Sequence, residues 1–271
     1  MHDGIVRSID SGKVSALVLL DLSLAFDTVD HDIMLQVMKN RFNVEGKALD
    51  WYRSYLTDRT QTFQVGSTQS GPHIIDCSVP QGSVLGPQEF IAYVEDLSQL
   101  IDSYHVDHHQ YADDTQIAAH TSIEDVPATV DRLQKCVEAA RAWCASRRLQ
   151  LNSLKTELIW FGTRGSLCKL SNTMTCLRVG GDVIKPAAVV RNLGVLLDSE
   201  MSMKQHIEQV VSTCFYQLRR LRQVRRLIGQ HSTVSLVNAF VTSRLDYCNG
   251  CTRGATRVRN CTVATGPECS C

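Results

Sequence analysis

The run Val14-Ser15-Ala16-Leu17-Val18-Leu19-Leu20 limits what this chain can fold into more than any other stretch. Six apolar side chains and one small hydroxyl have strand length and no polar face, the pattern of a strand buried on both sides. The run ends on Asp21, and an aspartate where a buried strand emerges costs desolvation unless something compensates it.

A second acidic feature lies far along the chain, in Tyr111-Ala112-Asp113-Asp114. The residues before it, 104–110, and after it, 115–119, can pair as strands, so the simplest reading is a β-hairpin with the acid pair at its tip. On those four residues alone a solvated bend is the simpler account. Asp21 changes the balance. If the two strands are neighbours in one sheet, three carboxylates converge, and a divalent cation would offset both the desolvation of Asp21 and the repulsion between adjacent anions. Hard oxygen ligands with no histidine or thiolate beside them favour Mg²⁺. Two such ions held by carboxylates form a phosphoryl-transfer site.

The remaining pattern surrounds these acids with alternating elements. Helices are expected over 31–42 and 45–56, the second carrying Trp51, Tyr52 and Tyr55, which read as core aromatics. Segments 60–65 and 74–79 read as partner strands across a Gly/Ser-rich turn. Pro80-Gln81-Gly82-Ser83 is a turn that opens a helix running to about Ile101; its free N–H groups and small bulk would let a nucleotide or template sugar approach the backbone. Ser122-Ile123-Glu124-Asp125 resembles a capping box, and Val126, Val130, Leu133, Val137, Ala140 and Cys144 then follow a helical period. Strands are expected over 156–161 and 189–197. From Met203, Ile207, Val210, Cys214, Leu218 and Leu221 form one stripe, with Arg219, Arg220, Arg222, Arg225 and Arg226 largely off it. A merely solvated face usually mixes signs, yet no acid stands between Glu208 and Asp246, so a phosphate-tracking helix is the favoured reading.

With 271 residues, 44% of them hydrophobic, the chain can bury one large domain or two small ones. Its zero net charge hides an asymmetry. Residues 1–130 hold 7 Lys and Arg against 19 Asp and Glu, and residues 131–271 hold 21 against 9. An acidic half holding metal and a basic half holding phosphate backbone is one reading, two differing solvated faces the other. The eleven cysteines follow no disulfide spacing and are expected to be reduced, without a disulfide-linked partner. No apolar run of membrane length or leader is visible, so an intracellular protein without membrane contact is expected.

Six blocks in order carry a family resemblance: residues 20–31 (LDLSLAFDTVDH), 79–87 (VPQGSVLGP), 110–115 (QYADDT), 149–152 with 155–157 (LQLN, KTE), 192–195 with Asp198 (NLGV), and 243–249 (SRLDYCN). Together they resemble the reverse transcriptases of non-LTR, jockey-like retrotransposons across roughly residues 5 to 250. The resemblance implies an α+β polymerase palm, an antiparallel sheet backed by helices, over 1–200. A helical thumb-like segment over 201–250 and an irregular, disordered or frameshifted tail over 251–271 follow. It implies RNA template, DNA primer and dNTP as partners, two Mg²⁺ ions with Mn²⁺ as a possible substitute, and a nuclear or cytoplasmic ribonucleoprotein setting.

Asp21, Asp113 and Asp114 are then the catalytic acids, with the Leu22 carbonyl a further metal ligand. Phe26 matches the bulky position that excludes a ribose 2′-OH, with a core phenylalanine as the equal alternative. Gln81 and Gly82 match the loop touching the incoming nucleotide, and Lys155 a lysine that assists the leaving pyrophosphate. Asn192, Leu193 and Gly194 match the primer grip. Two departures stand out. Gln88-Glu89 occupies a usually apolar place, and only twenty residues precede Asp21, where family members carry most of the fingers. The expectation is therefore low activity, the alternative being an inactive remnant that at most binds nucleic acid.

Overall fold

A computed structural model of the chain describes residues 1–80, 82–170 and 175–250. Helix α1 (His2–Asp10) leads into strand β1 (Val14–Leu20) and the short β2 (Leu22–Ser23). Helices α2 (His31–Phe42) and α3 (Gly46–Leu56) follow, then a ribbon made of β3 (Arg59–Gln61), β4 (Gln64–Val65), β5 (Thr68–Gln69) and β6 (His73–Ile75). Helices α4 (Gly86–Val94) and α5 (Leu97–Asp102) precede the hairpin of β7 (Asp107–Tyr111) and β8 (Asp114–Thr121). Helix α6 (Val126–Ser146) returns the chain to β9 (Gln150–Leu151) and β10 (Glu157–Phe161). After α7 (Arg164–Leu167) come two hairpins, β11 (Leu177–Val179) with β12 (Asp182–Ile184), and β13 (Val189–Asn192) with β14 (Val195–Asp198). Helices α8 (Lys204–Val224), α9 (Gln230–Val237) and α10 (Ser243–Asp246) complete the described chain, a π-helical turn over Asn238–Thr242 joining the last two.

The organising layer is an antiparallel sheet in the order β10-β1-β8-β7. With α2 to α5 crossing between β1 and β7, and α6 between β8 and β10, this is a βαββαβ arrangement. β1 is central, and its two faces divide between two cores. Val14, Ala16, Val18 and Leu20 pack with Ile117, Ala119, Leu158 and Trp160 under α2, α4 and α6. Leu17 packs with Ala118, Ile159 and Phe161 under Ile5 and Ile9 of α1 and Val190, Val195 and Leu197 of the β13–β14 hairpin. Burial on both faces explains why the run has no polar period. Its one hydroxyl is satisfied internally, Ser15 Oγ lying 2.7 Å from His120 Nδ1.

The helical layer is tied together by polar contacts at its edge. Asp30, 5% exposed, caps α2 by accepting from Ile33 N at 2.9 Å and pairs with Arg148 at 2.5 Å. Tyr93 Oη donates to the Arg147 carbonyl at 2.6 Å, and burial pushes its pKa up to about 12, so it stays a donor. Cys136 and Cys144 are buried in α6, where burial raises each thiol to about 11; they pack as apolar groups.

Several expectations are corrected in detail. The helix expected to reach Ile101 is two, broken at Glu95-Asp96, whose carboxylates are drawn to Arg41 of α2 (2.7 Å) and to Arg147 after α6 (2.5 Å). The strand segment 189–197 is a hairpin, because Leu193 (φ 45°) and Gly194 (φ 84°) turn the chain. Trp51 is not core. It is 51% exposed and stacks on Tyr55 at 5.4 Å, while Tyr52 and Tyr55 pack partly against the helical core. In α8 the expected stripe is buried only at Cys214 and Leu221; Ile207 and Leu218 remain 43% and 39% exposed. Residues 251–271 lie outside the described residues, as does Gln81.

Candidate active site

The register of β1 on β8 places Leu20 opposite Thr115, so Asp21 leaves β1 at the end of the sheet where Asp114 begins β8. Tyr111 pairs with Asp114 across the two-residue turn Ala112-Asp113, and Ala112 takes a positive φ of 53°. A non-glycine residue there is strained, and the tight turn holds Asp113 at the tip, beside the strand carrying Asp114. Burial raises the pKa of Asp114, and the charges of Asp113 and then Asp21 raise it further. Asp114 therefore feels the charge of both other carboxylates.

Asp21 is held by its backbone as well as by β1. Its carbonyl accepts from Asn152 N at 2.9 Å, and the following Leu22 opens β2 opposite Leu151, 9% exposed. Asn152 also folds the next turn, its Oδ1 accepting from Leu154 N (3.1 Å) and Lys155 N (3.3 Å). That turn brings Lys155 Nζ within 3.3 Å of Asp21 Oδ2. The same Oδ2 is shut off from solvent and receives no hydrogen bond.

The loop leading to Gly82 is held to the segment around Phe26 through Val79 and Ser78. Val79 N donates to the Phe26 carbonyl at 2.9 Å and Ser78 N to Val29 at 2.8 Å, zipping the loop before Gly82 onto the segment after Asp21. Phe26 is half-buried with its ring 4.7 Å from that of Phe90, so its packing role is real. Gly82 has φ 82°, and a Cβ built there would meet nothing within 4 Å. Its backbone is thus open to approach, and its conformation favours glycine. Ser83 Oγ then accepts from Gly86 N at 2.9 Å to start α4. Glu89 in that helix is 1% exposed with neither oxygen hydrogen-bonded; burial raises its pKa, partly opposed by Arg59.

Asn192, Leu193 and Gly194 form the β13–β14 turn over the other face of the sheet. Arg219, Arg220 and Arg222 lie on α8, with Arg225 and Arg226 just past its end; all five are exposed, and none forms an ion pair with a described residue. Arg220 lies 5.7 Å over the Tyr216 ring.

The donor chemistry at Asp21, Asp113 and Asp114 fits a divalent cation. A buried carboxylate oxygen without a hydrogen bond, and an acid whose ionisation is opposed by two acidic neighbours, are both relieved by positive charge. Among the described residues no three His, Cys, Asp or Glu side chains are already gathered around one ion position. Lys155 supplies the positive charge that Asp21 meets in this arrangement.

Residues 4–197 match the family described as reverse transcriptase (RNA-dependent DNA polymerase). The chain belongs to that family. Reverse transcriptases work with divalent metal ions, in keeping with the donor set. The resemblance to jockey-like elements read from the motifs is borne out by curated relatives in Drosophila melanogaster. The probable RNA-directed DNA polymerase from transposon BS is 28% identical over 242 residues, covering 86% of this chain and 25% of the relative. The RNA-directed DNA polymerase from mobile element jockey is 25% identical over 210 residues, covering 76% and 22%. The chain thus spans about a quarter of the length of these relatives. Among solved structures, a telomerase from Candida albicans in complex with a fragment of telomeric RNA aligns with a TM-score of 0.48 and 12% identity, over 97% of this chain and 46% of that one.

Three residues that shape the site were not singled out by motif. Asn152 ends the LQLN segment 149–152, in which the resemblance gives it no role. Gln116 is a glutamine 2% exposed in β8, and a long polar side chain amid apolar strand positions was its only signal. Tyr247 belongs to the SRLDYCN segment, and nothing local to it shows that its hydroxyl donates to the Leu193 carbonyl at 2.6 Å.

Proposed function

We propose that the chain is the RNA-directed DNA polymerase region of a jockey-like non-LTR retrotransposon, with residues 1–200 as palm and 201–250 as the start of its thumb. It would add dNTPs to a DNA primer on an RNA template. The observation that carries this reading is that Asp21, Asp113 and Asp114 stand at the same end of adjacent antiparallel strands, with Asp114 feeling the charge of both others. Asp21, Asp113, Asp114 and the Leu22 carbonyl would hold two Mg²⁺ ions, for which Mn²⁺ can substitute. When bound, the ions supply activation of the primer 3′-OH and charge neutralisation of the triphosphate.

The protein's own groups do the positioning. Gly82 offers open backbone to the incoming nucleotide, and Phe26, fixed by Phe90 and the Val79 hydrogen bond, bounds the sugar position. Lys155, whose Nζ lies 3.3 Å from Asp21 Oδ2, would meet the charge developing on the departing pyrophosphate. The exposed arginines after Glu208 follow the phosphate backbone.

The test is RNA-templated addition of a single dNTP under single-turnover conditions, with protein in excess over a primer–template hybrid. Slow incorporation that requires Mg²⁺ or Mn²⁺ and disappears in Asp113→Asn supports the reading. Hybrid binding with no metal-dependent incorporation contradicts it.

A further inference from the structure

The turn Leu193-Gly194 is gripped from two sides by residues to which no role has been given. On one side, Gln116 Nε2 donates to Asn192 Oδ1 at 2.8 Å and Asn192 Nδ2 donates to Gln116 Oε1 at 3.2 Å. This is a reciprocal amide pair between β8 and the end of β13, and Gln116 is 2% exposed. On the other side, Tyr247 Oη donates to the Leu193 carbonyl at 2.6 Å. Its ring covers Gly194, where an added Cβ would stand 3.6 Å from Tyr247 Cε1. Both turn residues hold positive φ, so the turn has little freedom of its own, and these contacts set where it stands.

The geometry matters because of what lies at the other ends. Gln116 is two residues after Asp114 in the same strand, hence on the same face and about 7 Å along it. Tyr247 directly follows α10, at the end of the helical segment. The acid-bearing hairpin, the Leu193-Gly194 turn and the end of the helical segment are therefore joined by three side chains in series. We propose that Gln116 and Tyr247 are positioning residues that fix the Leu193-Gly194 turn relative to Asp113 and Asp114, and that Asn192 acts through Gln116, its amide turned inward, rather than by contacting nucleic acid. This rests on the polymerase reading, in which that turn supports the primer terminus.

Two measurements on the 271-residue chain test it, with Gln116→Met keeping the volume but removing the amide and Tyr247→Phe removing only the hydroxyl. The first is amide hydrogen exchange at Asn192 and Val195, which pair at the turn. Loss of a hydrogen bond should speed exchange there by about five- to tenfold while β1 is unchanged. The second is fluorescence anisotropy with an RNA/DNA hybrid carrying a recessed primer 3′ end, against a blunt hybrid of equal length. Each variant should reduce the preference for the recessed end by about tenfold while binding to the blunt hybrid changes less than about twofold. Exchange that stays at its wild-type rate at the turn overturns the clamp, as does exchange that rises equally in β1. A clamp confirmed by exchange, in a wild type that shows no preference for a primer end, overturns the polymerase role of the turn instead.

Discussion

The four-stranded sheet and the helical segment after it are equally regular in sequence but differently held. In β1 every apolar position meets a neighbour, with Val14, Leu17 and Val18 at 0% exposure between two cores. In α8 only His206, Cys214 and Leu221 are buried, while Ile207, Phe215, Tyr216 and Leu218 face outward beside the arginines. Periodicity reports which residues share a face; it does not report whether that face is covered. The sheet is therefore the rigid holder of the acids, and the helical segment is attached to it at a few points, among them Tyr247 on Leu193.

Core truncation should separate the two regions most. Leu17→Ala is expected to cost about 2–5 kcal/mol in urea denaturation, and Leu218→Ala to stay within about 0.5 kcal/mol. Equal losses would mean that the α8 face is covered in solution.

Charge should separate them next. Replacing Arg219, Arg222 and Arg226 together with alanine should flatten the salt dependence of hybrid binding by about 0.7–0.9 per lost phosphate contact and leave the urea midpoint unchanged. An unaltered slope removes α8 from the nucleic-acid path.

A smaller effect tests the helical layer behind the sheet. Glu89 is buried with its pKa raised, so the folded state binds its proton more tightly than the unfolded state does. Its ionisation therefore destabilises the protein fully above the raised folded value, and the penalty fades as pH falls toward the ordinary 4.5. Glu89→Gln should add about 1 kcal/mol at pH 8 and progressively less on acidification, read as denaturation midpoints across pH. A gain independent of pH would place the effect in packing.

Much of this molecule is legible in its sequence. The double-faced burial of β1 followed from its unbroken apolar run, the hairpin from the residues flanking Asp113, and α2 from the periodic positions after Asp30. What escaped depended on contacts distant in sequence. The break between α4 and α5 is accompanied by Arg41 and Arg147, 54 and 51 residues from their partners. The Gln116–Asn192 pair spans 76 residues and Tyr247–Leu193 spans 54, and no local pattern encodes either. The exposure of Trp51 had the same cause, since a helix shows its apolar positions but not how wide its neighbour is. At the site, the acids were readable as carboxylates that lacked a nearby base. The approach of Lys155 to Asp21 needed the Asn152 turn to bring it there.

The proposed polymerase site requires Asp21, Asp113 and Asp114 to share one cation-binding place. Calorimetric titration of Mn²⁺ into the wild-type chain and into Asp21→Asn, Asp113→Asn and Asp114→Asn tests it most directly. Saturable binding that weakens by about tenfold or more in both Asp21→Asn and Asp113→Asn, and less in Asp114→Asn, is the predicted result. Binding that is unchanged in Asp21→Asn would contradict it, since the strand end and the hairpin would then not act together.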